Sequence, residues 1–237
     1  METIVSMVTP KLKVVDVGCD HAFIDIALVE RGIAPSALAM DVKKGPLEHA
    51  DENIREAGLS EKIKTRLSDG LQKYERGEAD CLIISGMGGP LIQKILLSDL
   101  ERLDNMRDFK EMIFSPQSEI TEFREFLSSS GYRITDEDMV CEDSKYYNVI
   151  KTVPEGKAYE LTNEALRYGP CLIDKRHPVL EEYLKKQLKN DDTILCKLSS
   201  GSDSYVNRIK KEEIQKESDI IKGLLADWGI KADDQRR

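Results

Sequence analysis

A β-branched apolar run, Val14-Val15-Asp16-Val17, stops at Gly18-Cys19-Asp20-His21, and Ile24, Ile26, Ala27 and Leu28 follow at helical spacing. No other stretch restricts the fold as strongly. A short apolar run closed by glycine and followed by a helical pattern reads as strand, tight turn and helix, the opening unit of a nucleotide-binding α/β domain. Gly18 can adopt positive φ and lets backbone approach a ligand. The first turn of the helix behind it presents unpaired N–H groups.

The turn departs from the dinucleotide fingerprint Gly-x-Gly-x-x-Gly. Asp20 stands at the second glycine position, and the third glycine is missing. A carboxylate there repels a diphosphate and favours a cationic or zwitterionic ligand. S-adenosylmethionine, with its sulfonium, ammonium and ribose hydroxyls, matches that chemistry better than NAD. Asp20 also fits as the N-cap of the following helix, a role that can coexist with ligand binding.

Strand-like segments at 13–17, 37–41, 63–67, 80–85 and 111–115 alternate with helical ones at 23–31, 46–58, 90–97 and 118–130. Segments 132–141 and 146–153 can close the sheet as a hairpin. The alternation predicts an α/β domain with a mostly parallel, doubly wound sheet. Right-handed crossovers put the turns after the first four strands on one edge. That edge collects four groups. Gly18 to His21 follow the first strand. Asp41 ends the second, about twenty residues after the turn, the spacing at which an acidic side chain meets ribose hydroxyls. Ser68-Asp69-Gly70 ends the third, where a side chain can accept from an adenine amino group. Gly86-Met87-Gly88-Gly89 ends the fourth, at the centre of the crevice.

Methyl transfer to a ring nitrogen needs alignment and exclusion of water, and a carboxylate can offset the positive charge that develops. Asp20 is the candidate catalytic residue, and His21 can orient the base. Gln117 can hydrogen-bond a base edge. Tyr146 and Tyr147 alternate across a strand, so at most one faces the cleft, where it can stack on a flipped base. The cofactor candidates are Gly18, Cys19, Asp20, His21, Asp41, Val42, Ser68, Asp69, Gly70, Gly86, Met87 and Gly88. Those for substrate are Gly89, Gln117 and Tyr147.

Composition shifts near Pro154-Glu155-Gly156, which predicts a boundary between residues 1–155 and a helical part at 156–237. Apolar stripes at 178–198 and 204–228, separated by Ser199-Ser200-Gly201-Ser202, predict an antiparallel helical hairpin with a coiled-coil-like seam. The tail from Lys231 is expected to fray. The net charge is −9, yet residues 157–237 carry 16 Lys/Arg against 15 Asp/Glu, so the acidity lies in the first 156 residues. Nonspecific nucleic-acid binding by that acidic body is disfavoured. Any basic groove is expected among Lys175-Arg176, Lys185-Lys186, Arg208, Lys210 and Lys211. Five scattered cysteines point to free thiols in a reducing cytoplasm, and three scattered histidines offer no metal centre. No membrane span and no signal peptide are expected.

Asp16-Val17-Gly18-Cys19-Asp20-His21-Ala22, the Gly86-Met87-Gly88-Gly89 turn, Pro116-Gln117, and Glu142-Asp143 followed by Tyr146-Tyr147 resemble the TrmK family. These are bacterial tRNA (adenine-N1)-methyltransferases acting on adenine 22. The resemblance runs from residue 12 into the helical C-terminus. It implies a Rossmann-like class I methyltransferase domain, S-adenosylmethionine as donor, tRNA as partner and a coiled-coil domain that helps hold the tRNA. It places Gly18, Asp20 and His21 in the donor turn, Asp41 at ribose, Asp69 near adenine and Gly86 to Gly89 beside the transferring methyl. Cys19 stands where a small hydroxyl or glycine is usual, and Asp41 where glutamate is common. The short segment before the first strand implies that an N-terminal helix covering the cleft is abbreviated. Two other readings stay open: methylation of a small molecule or protein, and a noncatalytic ligand-sensing module. Monomer and dimer are both compatible with the sequence.

Overall fold

A computed structural model describes residues 1–99, 103–104, 106–200 and 205–230. In chain order the elements are α1 (Glu2–Met7), β1 (Val14–Val17), α2 (Phe23–Glu30), β2 (Ala37–Asp41), α3 (Lys44–Glu56), β3 (Ile63–Leu67), β4 (Cys81–Ser85) and α4 (Gly89–Ser98). They continue as β5 (Glu111–Ser115), α5 (Ile120–Ser129), β6 (Tyr132–Glu142), β7 (Lys145–Pro154), α6 (Asn163–Tyr168), α7 (Pro170–Asp174), α8 (Pro178–Ser200) and α9 (Tyr205–Asp227). Two compact units result, Met1–Cys171 and Leu172–Arg237.

The first unit is built on a seven-stranded sheet of order β3-β2-β1-β4-β5-β7-β6. Pairing is parallel from β3 through β5, and β7 then enters antiparallel between β5 and β6. Every residue of β1 and β5 is buried, as is all of β4 except its last, Ser85. Helices cover both faces of a parallel sheet, so its central strands read as continuous apolar runs. Val15, Val17, Leu82, Ile84, Met112 and Phe114 pack in one layer, and Val14, Ala39, Cys81, Ile83 and Ile113 in the other.

The amino-terminal segment differs from the cleft cover that the family resemblance implies. Ile4, Val5 and Met7 of α1 join the layer containing Val14 and Ile113. Glu2 pairs with Arg31 at 2.6 Å. Thr9 donates through N and Oγ1 to Glu111, at 2.9 and 2.5 Å, and Lys151 Nζ lies 2.8 Å from the same carboxylate. Arg31 follows the end of α2 and Glu111 opens β5, so these ties hold α1 on the amino-terminal side of the sheet. The elbows lie on the opposite side.

The compact unit also continues past the compositional shift at 155. Glu155 and Gly156 donate to Gly131 O, and Tyr159 Oη accepts from Ile134 N at 2.9 Å. Thr162 caps α6 by accepting from Ala165 N. Arg124, on α5, has only 1% of its side chain exposed. Its Nε donates to Glu137 at 2.8 Å, its Nη1 to the carbonyls of Leu166 and Arg167 at 3.1 Å each, and its Nη2 to Asn148 Oδ1 at 3.2 Å. Glu137 accepts in turn from Cys171 N at 3.0 Å. Composition marks where the sheet stops, whereas packing stops only after this network.

In the second unit α8 and α9 pack on each other. Leu180, Leu184, Leu188, Ile221, Leu224 and Leu225 are buried. Among them Asp191 accepts from Ser218 at 3.0 Å and from Gln187 at 3.0 Å. A satisfied polar pair within an apolar seam fixes the register of two helices. Toward the far end Ile194, Tyr205, Val206 and Ile209 are exposed. Ser199 and Ser200 belong to α8, two residues further than their composition predicts; Gly201, Ser202 and the tail from Lys231 lie outside the described residues. Among the described residues no helix is long and apolar enough to cross a membrane.

Candidate active site

All five parallel strands end on one edge, and strand order reverses between β1 and β4. Such a switch point opens a crevice, because the following helices leave on opposite faces. Hydrogen bonds knit the loops above it. Gly18 N and Cys19 N donate to Met40 O at 2.8 and 3.0 Å, and Ser68 N donates to Asp41 O at 2.8 Å. Gly86 N donates to Ser115 O, Gln117 N to Met87 O and Gly89 N to Ser118 O. Sheet pairing thus extends past the strands and holds the elbows in place. Gly18 lies at φ +82°, and a β-carbon there would run into the Met87 methyl. Glycine therefore lets the β1 and β4 turns meet.

Asp20 is exposed on this elbow at φ +51°. It does not cap α2: the N-cap is Ala22 at φ +58°, with no side-chain hydrogen bond. Held left-handed, an alanine such as Ala22 costs on the order of 1–2 kcal/mol, whereas aspartate visits that region more readily. Two left-handed positions within three residues mark a turn shaped for something besides helix initiation. His21 stands 3.7 Å from Asp20, its ring 5.4 Å from that of His49 and 5.6 Å from that of Phe23, while its carbonyl accepts from Asn53.

Asp41 accepts from Lys43 N at 2.8 Å through one oxygen, and Val42 beside it is 57% exposed. Asp69 is exposed, with a long 3.4 Å contact from Gln72. Gly86 is open, since a β-carbon there would touch only Gln117 Nε2 at 3.9 Å. Met87 and Gly88 are half-buried beside it. Gln117 is exposed at the neighbouring strand end. Tyr147 is half-buried at the start of β7, which antiparallel pairing brings to the same edge, and Ser115 Oγ donates to the carbonyl of Asn148 next to it.

Other predicted residues turn inward. The Cys19 side chain is buried, and burial together with the carboxylates of Asp16, Asp25 and Asp41 pushes its thiol far up. Ser68 Oγ donates to Gly70 O and accepts from Lys73 N, so its hydroxyl is spent inside the turn. Gly70 backs onto Ile95, and Gly89 lies against Ser118 O, where a β-carbon would stand at 2.9 Å.

Sequence reasoning missed the carboxyl pair below the elbow. Asp16 on β1 is 1% exposed and Asp25 on α2 is 0% exposed. Asp16 Oδ1 and both Asp25 oxygens find no other donor. A proton held on one carboxyl and donated to the other would pair two of these three oxygens. Burial pushes Asp16 up to about 7, with the Asp41 charge adding to it and the Asp25 hydrogen bond opposing it. Burial and the charge on Asp16 hold Asp25 well above the usual carboxylate range. A raised folded-state pKa stabilises below the unfolded value, and that stability is lost as pH climbs through the folded one. Asp25→Asn is therefore expected to raise the melting temperature above about pH 7 and to leave it unchanged below about pH 4. Paired thermal melts at the two extremes check this.

The β3-β2-β1-β4-β5-β7-β6 sheet, with an acidic, glycine-turned elbow at its switch point, defines a Rossmann-like methyltransferase. The family model of TrmK, tRNA (adenine(22)-N(1))-methyltransferase, matches residues 14–223. A Bacillus subtilis tRNA (adenine(22)-N(1))-methyltransferase is 27% identical over 229 residues, covering 95% of each chain. A Listeria monocytogenes protein of uncharacterised function superimposes with TM-score 0.86 at 27% identity, over 94% of this chain and 97% of its own. A Streptococcus pneumoniae protein, provisionally a tRNA (m1A22) methyltransferase, was crystallised with S-adenosyl-L-methionine. It gives TM-score 0.80 at 30% identity, over 94% of this chain and 97% of its own. The chain belongs to the TrmK family of S-adenosylmethionine-dependent tRNA (adenine(22)-N(1))-methyltransferases.

Proposed function

We propose that this chain methylates N1 of adenine 22 in tRNA, with S-adenosylmethionine as donor and the unit Met1–Cys171 as the catalytic part. One observation carries the reading: an exposed carboxylate, Asp20, on a strained elbow at the sheet's switch point, beside the open Gly86-Met87-Gly88 turn. The site fits a cationic cofactor, with Asp20 exposed on the elbow and the buried Asp16 carboxyl two residues before Gly18. Asp41 offers its second oxygen to ribose hydroxyls. Val42 covers the adenine face, Asp69 accepts from its amino group, and Ser68 and Gly70 serve through backbone. Gly18, Cys19 and His21 shape the donor turn.

When bound, S-adenosylmethionine supplies an electrophilic methyl on a sulfonium leaving group. The N1 lone pair of adenine needs no deprotonation, so the protein's task is placement. N1 lies on the pairing edge, and the base must leave its stack to reach the crevice. Gly86 and Gly89 give it room, Gln117 meets its edge, Tyr147 stacks on its face, and Asp20 offsets the charge that develops on the ring. The α8–α9 hairpin, with its coiled-coil seam and basic side chains, grips the body of the tRNA. Cysteines outside any disulfide, two of them exposed at Cys141 and Cys196, suit a cytoplasmic enzyme.

The test is tritiated-methyl transfer to a tRNA transcript with adenine at position 22 and to one with guanine there. Label recovered as 1-methyladenosine from the first alone is the expected result. Equal labelling of both, or labelling of neither, overturns the reading.

A further inference from the structure

Asp25 has no task in the placement chemistry above, yet it spends a fully buried carboxyl against a second one. Asp16 lies on β1 two residues before Gly18 and Asp25 in the first turn of α2, so the pair brackets the donor elbow along the chain. Both groups are at most 1% exposed, and three of their four oxygens find no donor beyond the partner. Two carboxylates at such a place cannot both be charged cheaply when none of the groups acting on them is a cation, and a bound cation changes that balance.

We propose that Asp25 sets the discrimination between the cationic methyl donor and the neutral thioether product, by keeping on the Asp16–Asp25 pair a proton that donor binding expels to solvent. The inference rests on the donor assignment of the preceding subsection. The donor carries a sulfonium, an ammonium and a carboxylate, a net charge of +1, whereas the product lacks the sulfonium and is neutral. The ionised pair therefore attracts donor more than product. After transfer the sulfonium charge is gone, the pair takes its proton back and the product is held less tightly. Asp25 acts through Asp16 and is a positioning residue of the site's charge.

The groups acting on the pair can be named. Asp41, at the end of β2, adds negative charge to Asp16. Cys19 in the elbow and Cys81 on β4 are thiols that both feel the Asp16 carboxylate, and burial keeps both protonated. Asp20 and His21 stand on the solvent side of the elbow, 3.7 Å apart. The variant at Asp25 separates their share from that of the buried pair.

The experiment is calorimetric titration of the full chain with S-adenosylmethionine and with S-adenosylhomocysteine near pH 7, in two buffers of different ionisation enthalpy. Protons released on binding follow from the difference between buffers. More release for donor than for product is expected. The donor-to-product affinity ratio is expected to rise several-fold between about pH 6 and about pH 8. In Asp25→Asn both the extra release and the pH dependence should vanish, because Asp16 gains an amide donor and loses a like-charged neighbour. Asp25→Ser should behave the same way should the first variant fold poorly. Equal release for both ligands, or extra release that persists in the variants, overturns the inference and leaves the donor assignment standing. Absence of donor binding overturns both.

Discussion

Replacing Arg124 with methionine is expected to lower the unfolding free energy by about 3–5 kcal/mol. Among the described residues Arg124 is the largest fully buried side chain, and its guanidinium satisfies four acceptors on Glu137, Asn148, Leu166 and Arg167. Methionine fills much of the volume but leaves the Glu137 carboxylate, itself 0% exposed, without its cation. An uncompensated buried charge costs far more than the net contribution of the ion pair. Pairing the change with Glu137→Leu should recover a large part of the loss. Denaturant unfolding of the three variants checks this, and a single change that costs under about 1 kcal/mol would show that water reaches the pair. Gly169 sharpens the expectation: a β-carbon there would stand 2.7 Å from Glu137 Oε2 and 2.8 Å from Arg124 Nη2, so backbone is packed onto the ion pair with little room to relax.

Removing the Asp20 carboxylate as alanine is expected to lower methyl transfer on the order of a hundredfold, the scale seen when one preorganised electrostatic group is lost. tRNA affinity should change little, since Asp20 contributes nothing attractive to a phosphate backbone. Donor affinity should fall by less than turnover, because Asp41 and the buried pair remain. Single-turnover transfer, filter binding of tRNA and calorimetry of the donor separate these quantities. Equal losses of turnover and tRNA binding would assign Asp20 to holding the elbow's shape. The left-handed backbone at Asp20 and Ala22 makes that a real alternative, and Asp20→Asn distinguishes it. Asparagine tolerates the same φ but has no charge, so turnover should still fall.

Much of the parallel sheet was legible from local pattern. The segments at 37–41, 63–67 and 111–115 are the strands found, with the same ends. Each is a short run bounded by turn residues, so its limits are written in the chain itself. The elbows at Gly18, Asp41, Asp69 and Gly86 were legible for the same reason, since right-handed crossovers leave one arrangement for strand ends. Arg124 was not, because a charged residue on an amphipathic helix looks solvated until Glu137 and Asn148 are known to face it. Asp16 and Asp25 escaped notice for a related reason. One sits in an apolar strand and the other in a helix, and only the turn of the chain from β1 into α2 sets them against each other. The short helices α6 and α7 have too few apolar positions to show a period. The run from 155 to 171 therefore read as an end to the domain when it is part of it.

The sequence alone determined the order of the strands and of the longer helices, the crevice edge and the acidic character of its first elbow, because short-range periodicity and glycine placement specify these. Tertiary structure decided which polar groups lie buried, which carboxyls are buried together, which predicted contacts turn inward and where α1 is tied. Those outcomes depend on desolvation and on partners distant in sequence, and desolvation is a property of surroundings that no local pattern encodes.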